Sequence, residues 1–452
     1  LLSNNDKARL RARFTKLNDY AILFDMVQDT SVNDSIRQTS IKSWLQQNPN
    51  SAIAAHLPTP LVSYLAITSV QEQKIAVLLP LSGRLAGQGE AIKQGLLAAY
   101  LARVNRSADN QNQPSTEIEF IDTGSDTTLP TSVGAESLAA YEIIIGPLLK
   151  SHIQQVQSFA LPNLKQVVLN QPQEQTIGSG DIIEQQSISA YFSLSPEQEA
   201  QQLVVLMRAQ NIQQPVLIKD NSSVANRMAA AFKQAWLDTA SQNTLTQASA
   251  VQASQKPKVV QEISYTNNQS MRVGITSALD VLQSQRRIQQ LSNLDQERVY
   301  SVTRNRRDVD AFVVFSQPDE LELINPIIES SISLFTDEQL PVFASSYGYD
   351  HKQSKNSQRD LRNLVFIDMP WLLSNDRQDA LSKQVDKLFN QPSSTFLRLF
   401  AFGYDALAIA DNIVQLSTFD YMKIQGLSGT LSFAEDNSLN RELAWLAITE
   451  NN

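Results

Sequence analysis

From Lys74 onward the chain keeps returning to one pattern: a short apolar run, a turn, then a segment of helical periodicity before the next run. The runs are 75–79, "IEFID" (118–122), "EIIIGP" (142–147), "QVVLN" (166–170), "PVLIKD" (215–220), "DAFVVFS" (310–316), "LPVFAS" (340–345) and "LVFID" (364–368). Each is short, and the first, 75–79, is continuously apolar, as expected of a strand buried on both faces. Helical patterns lie between them at 197–209, 222–240, 330–335 with the turns before it, and 396–414. Such alternation calls for parallel sheets with right-handed crossovers, and this many units call for two α/β lobes. Ligands of such sheets sit at the carboxyl ends of the strands.

The first of these units, "KIAVLLPLSGRLAGQG" (74–89), poses a chemical question, because a strand, a glycine-rich loop and a helix can cradle a phosphate. Ile92, Leu96, Ala99 and Tyr100 mark one face of the helix. The loop lacks the phosphate signature. Counting from Gly87 and Gly89, the third position of G-x-G-x-x-G is Ile92, and Gly89 is followed by Glu90 where a Walker loop has Lys. A carboxylate there would repel a phosphate, so no nucleotide cofactor is expected.

Charge narrows the partners further. Of 452 residues, 46 are acidic and 37 basic, a formal charge of −9 that disfavours nucleic acid. The absence of cysteine removes disulfides, thiolate nucleophiles and Cys-type zinc sites. No apolar run reaches the roughly 18–20 residues that span a bilayer. The chain begins at Leu1 without a charged n-region or an apolar h-region, so a targeting signal is expected upstream.

Residues 1 to about 57 carry helix-spaced apolar positions, and "HLPTPLVSYLAITSVQEQ" (56–73) reads as a connector because Pro58 and Pro60 interrupt helix. A domain boundary is expected near residue 70, with 1–70 separable from the rest. Polar stretches at 105–116, 239–258 and 350–360 read as surface loops.

Catalytic constellations are hard to find. His56, His152 and His351 lie far apart, and none has the second histidine a metal helix requires. Asp308 and Asp310 share a strand face but lack a third ligand, so strand-edge solvation is the expected role. "GLSGT" (426–430) misses the G-x-S-x-G elbow by one residue and reads as a turn entering a strand. S-x-x-K is absent. One charge cluster stands apart: Arg286, Arg287, Arg298, Arg304, Arg306 and Arg307, read either as a solvated helix face and loop or as a docking patch for an acidic partner.

"IAVLLPLSGRLAGQGEAIKQG" (75–95), "IIIGPLL" (143–149), "FAFGYDALAIA" (400–410) and "GLSGTLSFAEDN" (426–437) resemble type I periplasmic binding proteins. The resemblance implies an α/β fold with a two-lobed domain of parallel sheets flanked by helices over 71–452, preceded by a short all-α helical-repeat segment. Lobe 1 is expected at about 74–192 and 346–420, and lobe 2 at about 193–345 and 421–452. The implied interlobe cleft has Ser82, Gly83, Asn170, Gln171, Ser345 and Tyr347 as candidate lining. Amino-acid binders of this fold place small hydroxyl residues where this chain has Asn170-Gln171-Pro172.

A narrower match lies in "RRDVDAFVVFSQPDELELINP" (306–326), "LPVFASS" (340–346) and "FIDMPWLL" (366–373). These segments resemble the LpoA (LppC) family of outer-membrane lipoproteins, and "WLQQNPNSAIAAHLP" (44–58) resembles the end of that family's TPR-like helical-repeat domain. What this implies is a non-enzymatic regulator without cofactors or metals. It would be anchored on the periplasmic side of the outer membrane by a lipid attached upstream of residue 1, and would stimulate the transpeptidase of a class A penicillin-binding protein. Peptidoglycan is a further expected contact, and a periplasmic amino-acid binding protein is the alternative. Arg286, Arg287 and Arg298 are the expected partner contacts.

Overall fold

The computed structural model describes residues 18–67, 73–107, 116–172, 187–246, 260–294, 305–332, 340–352, 359–373, 379–434 and 436–448. The chain divides into two compact units, Leu1–Leu194 with Thr395–Arg441, and Ser195–Ser394 with Glu442–Asn452. The first unit opens with helices α1 (Asn18–Gln28), α2 (Asp34–Gln47), α3 (Ala52–Ala55) and α4 (Thr59–Ala66). The alternation follows: β1 (Gln73–Leu79), α5 (Ala86–Ser107), β2 (Thr116–Asp122), α6 (Ala135–Leu138), β3 (Ile143–Ile145), α7 (Lys150–Ser158), β4 (Lys165–Val168) and β5 (Ile188–Tyr191). The five strands pair in parallel in the order β2-β1-β3-β4-β5.

The apolar run of β1 follows from burial on both sides. Ile75, Val77 and Leu79 join one core with Ile92 and Leu96 of α5. Ala76 and Leu78 join another with Leu138 of α6 and Val156 of α7. Helices over both faces leave only apolar positions from Ile75 to Leu79.

The second unit runs through α8 (Pro196–Ala209), β6 (Pro215–Lys219), α9 (Ser223–Thr246), β7 (Gln261–Ser264), α10 (Asn268–Ala278), α11 (Val281–Leu294), β8 (Ala311–Phe315) and α12 (Pro318–Ser331). It continues through β9 (Val342–Ala344), β10 (Leu364–Asp368), α13 (Pro370–Leu373) and α14 (Ala380–Phe389). The chain then returns to the first unit with α15 (Ser394–Asp411), α16 (Ile413–Thr418), β11 (Ile424–Gln425), β12 (Thr430–Phe433) and β13 (Leu439–Glu442), and ends on β14 (Ala444–Ala447) in the second. The second sheet has the order β14-β10-β9-β8-β6-β7, parallel except for β14 against β10. Its two faces are again both covered: Phe312, Val314 and Phe366 pack with Ile275 of α10 and Ile324 of α12, and Val313, Phe315 and Phe343 pack with Leu203 of α8 and Phe232 of α9.

The division differs from the expected lobes. Residues 346–394 stay with the second sheet because β10 pairs with β9 on one side and β14 on the other. Residues 421–441 stay with the first unit, where Leu431 and Leu439 enter its core and Tyr191 bridges to Ser438. The boundary near residue 70 is also not where the units part. Leu23, Val27, Ile41, Ile53, Leu61 and Tyr64 belong to the same core as β1, α15 and α16.

A buried polar network seals that junction. Asp34 accepts from the main-chain N–H groups of Val414 (2.8 Å) and Gln415 (3.2 Å), free donors in the first turn of α16, and so caps that helix from a distant segment. Arg37, 1% exposed, donates to Asp34 (2.7 Å), the Asp29 carbonyl (2.8 Å), Tyr64 (3.2 Å) and Asn412. Burial raises the Asp34 carboxyl above its ordinary range, with Arg37 acting in the opposite direction.

The "GLSGT" segment is the β11–β12 turn. Ser428 is fully buried and donates, with the N–H groups of Leu427 (2.8 Å) and Ser428 (2.7 Å), to the buried Asp405 carboxylate. Burial outweighs these donors and pushes Asp405 up to about 6 from 3.8. A raised carboxyl means that the fold binds the proton more tightly than the unfolded chain, so this group's contribution to stability falls as pH rises between about 3.8 and 6. Asp405→Asn should therefore change in stability relative to the parent across that window, gaining on the order of 1–3 kcal/mol from pH 4 to pH 7. Urea unfolding of both proteins at the two pH values checks this; a pH-independent difference contradicts it.

Candidate functional site

In the first unit the loops after β1, β2, β3 and β4 lie side by side at the carboxyl edge of the sheet. Ser82 and Gly83 are in the loop after β1. Gly83 has φ +73°, and a Cβ there would meet the Ser125 hydroxyl at 2.9 Å, so the turn requires glycine. Ser125 donates to the Ser82 carbonyl (2.6 Å) and accepts from the Leu85 N–H (3.0 Å). Asp122 accepts from the N–H groups of Leu81 and Gly124, both at 2.8 Å. Partial burial alone would raise its carboxyl, but Gly124, the Ser82 hydroxyl and Leu81 outweigh it and hold the group below the usual range.

Asn170 and Gln171 follow β4. The Asn170 amide donates to the Leu148 carbonyl (3.0 Å) and accepts from the Gln171 N–H (2.9 Å). It braces the loop after β3, and both ends of the amide are engaged there. His152, buried in α7, contacts the Asp126 carbonyl through Nε2 at 2.8 Å, while its Nδ1 is buried without a hydrogen-bond partner among the described residues.

In the second unit Ser345 and Tyr347 follow β9. Ser345 is fully buried; its hydroxyl accepts from the Tyr347 N–H (3.3 Å) and donates to the Met228 sulfur (3.8 Å). The Tyr347 hydroxyl lies 3.4 Å from Asp220 and 3.3 Å from the Ser222 hydroxyl at the end of β6. Ser346 donates to Glu199 (2.6 Å), and Tyr265, after β7, donates to Glu320 (2.7 Å). Burial and the Glu320 carboxylate both push the Tyr265 phenol up. Asp220, Ser222, Glu199, Tyr265 and Glu320 were not expected at this edge; the sequence signal for the first two is the Asp-Asn-Ser that ends the β6 run. Three carboxylates of this edge thus accept from or face hydroxyl groups, an arrangement that fixes the loops.

The two expected strand-head carboxylates have separate tasks. Asp308 forms a bidentate pair with Arg306 (2.6 and 2.8 Å), and Asp310 accepts from the N–H groups of Gln213 (2.5 Å) and Gln214 (2.9 Å). Among the described residues no group of three His, Cys, Asp or Glu side chains could hold a metal ion. Of the arginine cluster, Arg286 and Arg287 are exposed on α11, Arg307 is exposed in the following segment, and Arg298 and Arg304 lie outside the described residues. Neither Arg286 nor Arg287 forms an ion pair among the described residues, and α11 itself carries no acidic residue. No described helix is long and apolar enough to cross a membrane.

Comparison with known proteins places these features in a family. The chain is 29% identical over 99% of its length to a penicillin-binding protein activator LpoA from Photobacterium profundum. It spans between 62% and 68% of the length of the curated relatives it matches. In fold it is similar to the crystal structure of full-length LpoA from Haemophilus influenzae, with a TM-score of 0.59 at 18% identity, covering 96% of this chain and 68% of that one. It is also similar to a "putative branched-chain amino acid ABC transporter" structure from Chromobacterium violaceum, with a TM-score of 0.55 at 20% identity, covering 83% of this chain and 99% of that one. The two likenesses establish a type I periplasmic-binding-protein-like fold, as the alternation of strands and helices implied. The family model described as "LppC putative lipoprotein" matches residues 12–450, and the chain belongs to that family.

Proposed function

We propose that this chain is the regulatory part of a non-enzymatic activator that binds a class A penicillin-binding protein and stimulates its transpeptidase. The observation that carries the reading is the family match over residues 12–450, together with relatives named as penicillin-binding protein activators. A regulator without a reacting group acts by binding the active conformation of its partner more tightly than the inactive one. In this reading the full-length protein is held at the periplasmic side of the outer membrane by a lipid anchor. Helices α1–α4 then form the end of a longer TPR-like domain, and peptidoglycan is a second contact. Arg286, Arg287 and Arg298 are the proposed contacts with the synthase.

The Asn170 amide supports this reading over the amino-acid-binding one. Its oxygen and one of its two N–H donors are taken by main-chain partners, which leaves a single N–H where a ligand carboxylate would need several donors. Losing two charge-assisted hydrogen bonds would cost roughly 3–6 kcal/mol of ligand affinity. Calorimetry against the common amino acids should give no saturable micromolar heat, and the immobilised chain should retain the class A penicillin-binding protein of the same genome from detergent-solubilised envelope. Micromolar amino-acid binding without retention of the synthase would contradict the proposal.

A further inference from the structure

The loop that follows β2, residues 123–129, has no secondary structure of its own and is tied to α7 by two side chains. His152 and Gln155, three residues apart on one side of that helix, both reach it. The Gln155 amide donates to the Thr127 carbonyl (2.9 Å) and accepts from the Leu129 N–H (2.9 Å). The His152 ring is fully buried, with Nε2 2.8 Å from the Asp126 carbonyl. A carbonyl only accepts, so Nε2 carries the proton and Nδ1 of the neutral ring is a bare acceptor. No hydrogen-bond partner for Nδ1 stands among the described residues.

The surroundings oppose a charge on this ring. Val156, one turn further along α7, packs with Ala76, Leu78, Val133, Leu138 and Ile144 in an apolar core. Of the charged residues on these elements, Lys74 pairs with Glu117 at exposed positions, Glu142 accepts from the Lys74 N–H, and Glu136 and Lys150 are exposed. Burial lowers the ring's affinity for a second proton, against the opposing pull of the Asp126 and Thr128 carbonyls and the Asp126 carboxylate.

We infer that His152 is a proton-sensitive latch: neutral, it holds the loop 123–129 against α7, and protonated, it lets the loop go. A proton on Nδ1 creates a buried charge and a buried donor with no acceptor placed to receive it, and the ring is relieved by turning toward water. That motion breaks the Nε2 contact with Asp126. Ser125, in the same loop, holds the turn after β1 through the Ser82 carbonyl and the Leu85 N–H, so release passes to the carboxyl edge of the first sheet, where folds of this kind present ligands. The folded value is depressed, so the latch is closed above the ordinary histidine value of 6.5 and opens as pH falls through the folded value. Asp405 in the same unit titrates with the opposite sign and holds the β11–β12 turn instead. The inference is independent of the activator reading.

Hydrogen exchange by the full chain between pH 4 and pH 8, compared as protection factors, tests the latch. Protection at residues 123–129 should be flat above 6.5 and fall about tenfold per pH unit once His152 is protonated, one proton being coupled to opening, with β8 of the second unit unchanged. The His152 ring signals in the NMR spectrum, assigned against H56Q and H351Q, should titrate at the same midpoint. Glutamine places an amide N–H where Nε2 stood and does not titrate, so H152Q should keep the loop protected with no break in its pH profile. A ring that titrates at or above 6.5, protection that is unchanged down to pH 4, or an H152Q chain with the parent's pH profile would each overturn the latch. If H152Q does not fold, coincidence of the two midpoints in the parent supports the latch and their separation overturns it.

Discussion

Replacing Arg37 with methionine is expected to destabilise the first unit by about 3–5 kcal/mol, the cost of breaking a buried ion pair from one side. Methionine keeps most of the buried volume but leaves Asp34 as an uncompensated carboxylate and strips the Asp29 carbonyl and Asn412 of their donor. Asp34 could take up a proton, but that would weaken its hold on the N–H groups at the start of α16. Because Asp34 and Arg37 lie on α2 and their partners Asn412, Val414 and Gln415 lie at α16, the damage should spread from the N-terminal helices into the α/β part. Unfolding of the full chain, followed separately in the two units by hydrogen exchange, should show lost protection in β1 and α16 with the second unit unchanged. A loss below about 1 kcal/mol, or one confined to α1–α4, would mean that these helices are an independent appendage.

Two glycine-to-alanine substitutions in the first unit should move stability in opposite directions. In an open helix the change gains up to about 1 kcal/mol from propensity alone. Gly87, near the start of α5, has open space where a Cβ would stand, so G87A should be neutral or stabilising. Gly403 in α15 lies against the backbone of α5, and a Cβ there would sit 2.0 Å from the Ile92 carbonyl oxygen; Gly95 meets the Phe400 carbonyl at 1.9 Å in the same way. These contacts are with backbone and cannot be relieved by a rotamer change, so the helices must separate. G403A should cost about 3 kcal/mol, toward the upper end for overpacking, and packing should win over propensity. Urea unfolding of the two variants checks the pair, and equal effects would show that α5 and α15 are not this closely packed.

Most of the strands that the sequence announced are buried on both faces, although β2, announced as IEFID, is a half-exposed edge strand. β1, β6 and β8 lie inside their sheets, and every residue from Ile75 to Leu79 is buried. β5 and β7 gave no comparable signal, because each is an edge strand with one well-buried residue, Ala190 in β5 and Ile263 in β7. The helix expected at 330–335 is instead α12, which ends at Ser331 and has Pro326 in its interior, a residue that reads as a breaker; residue 335 itself lies outside the described residues. The 396–414 pattern is broken at Asn412, where α15 ends and α16 begins.

The attachment of the N-terminal helices was illegible for a different reason. Asp34 and Arg37 sit three residues apart in a polar stretch that resembles a surface helix, and only the contact with α16, about 380 residues away, makes them interior. Of the candidate site, the position of each loop at a strand's carboxyl end could be read from the alternation, whereas the engagement of the Asn170 amide could not. Its partners, the Leu148 carbonyl and the Gln171 N–H, are main-chain groups and leave no trace in side-chain pattern.

The central claim is activation, and the degree of cross-linking in newly made peptidoglycan tests it most directly. A class A penicillin-binding protein of the same genome, supplied with lipid-linked precursor in detergent, should produce a larger fraction of cross-linked muropeptides as this chain is added. The rise should saturate with concentration, as expected of a partner that shifts a two-state equilibrium. The account predicts a saturable rise that is abolished by a transpeptidase-blocking β-lactam. Unchanged cross-linking at concentrations that saturate binding would contradict it.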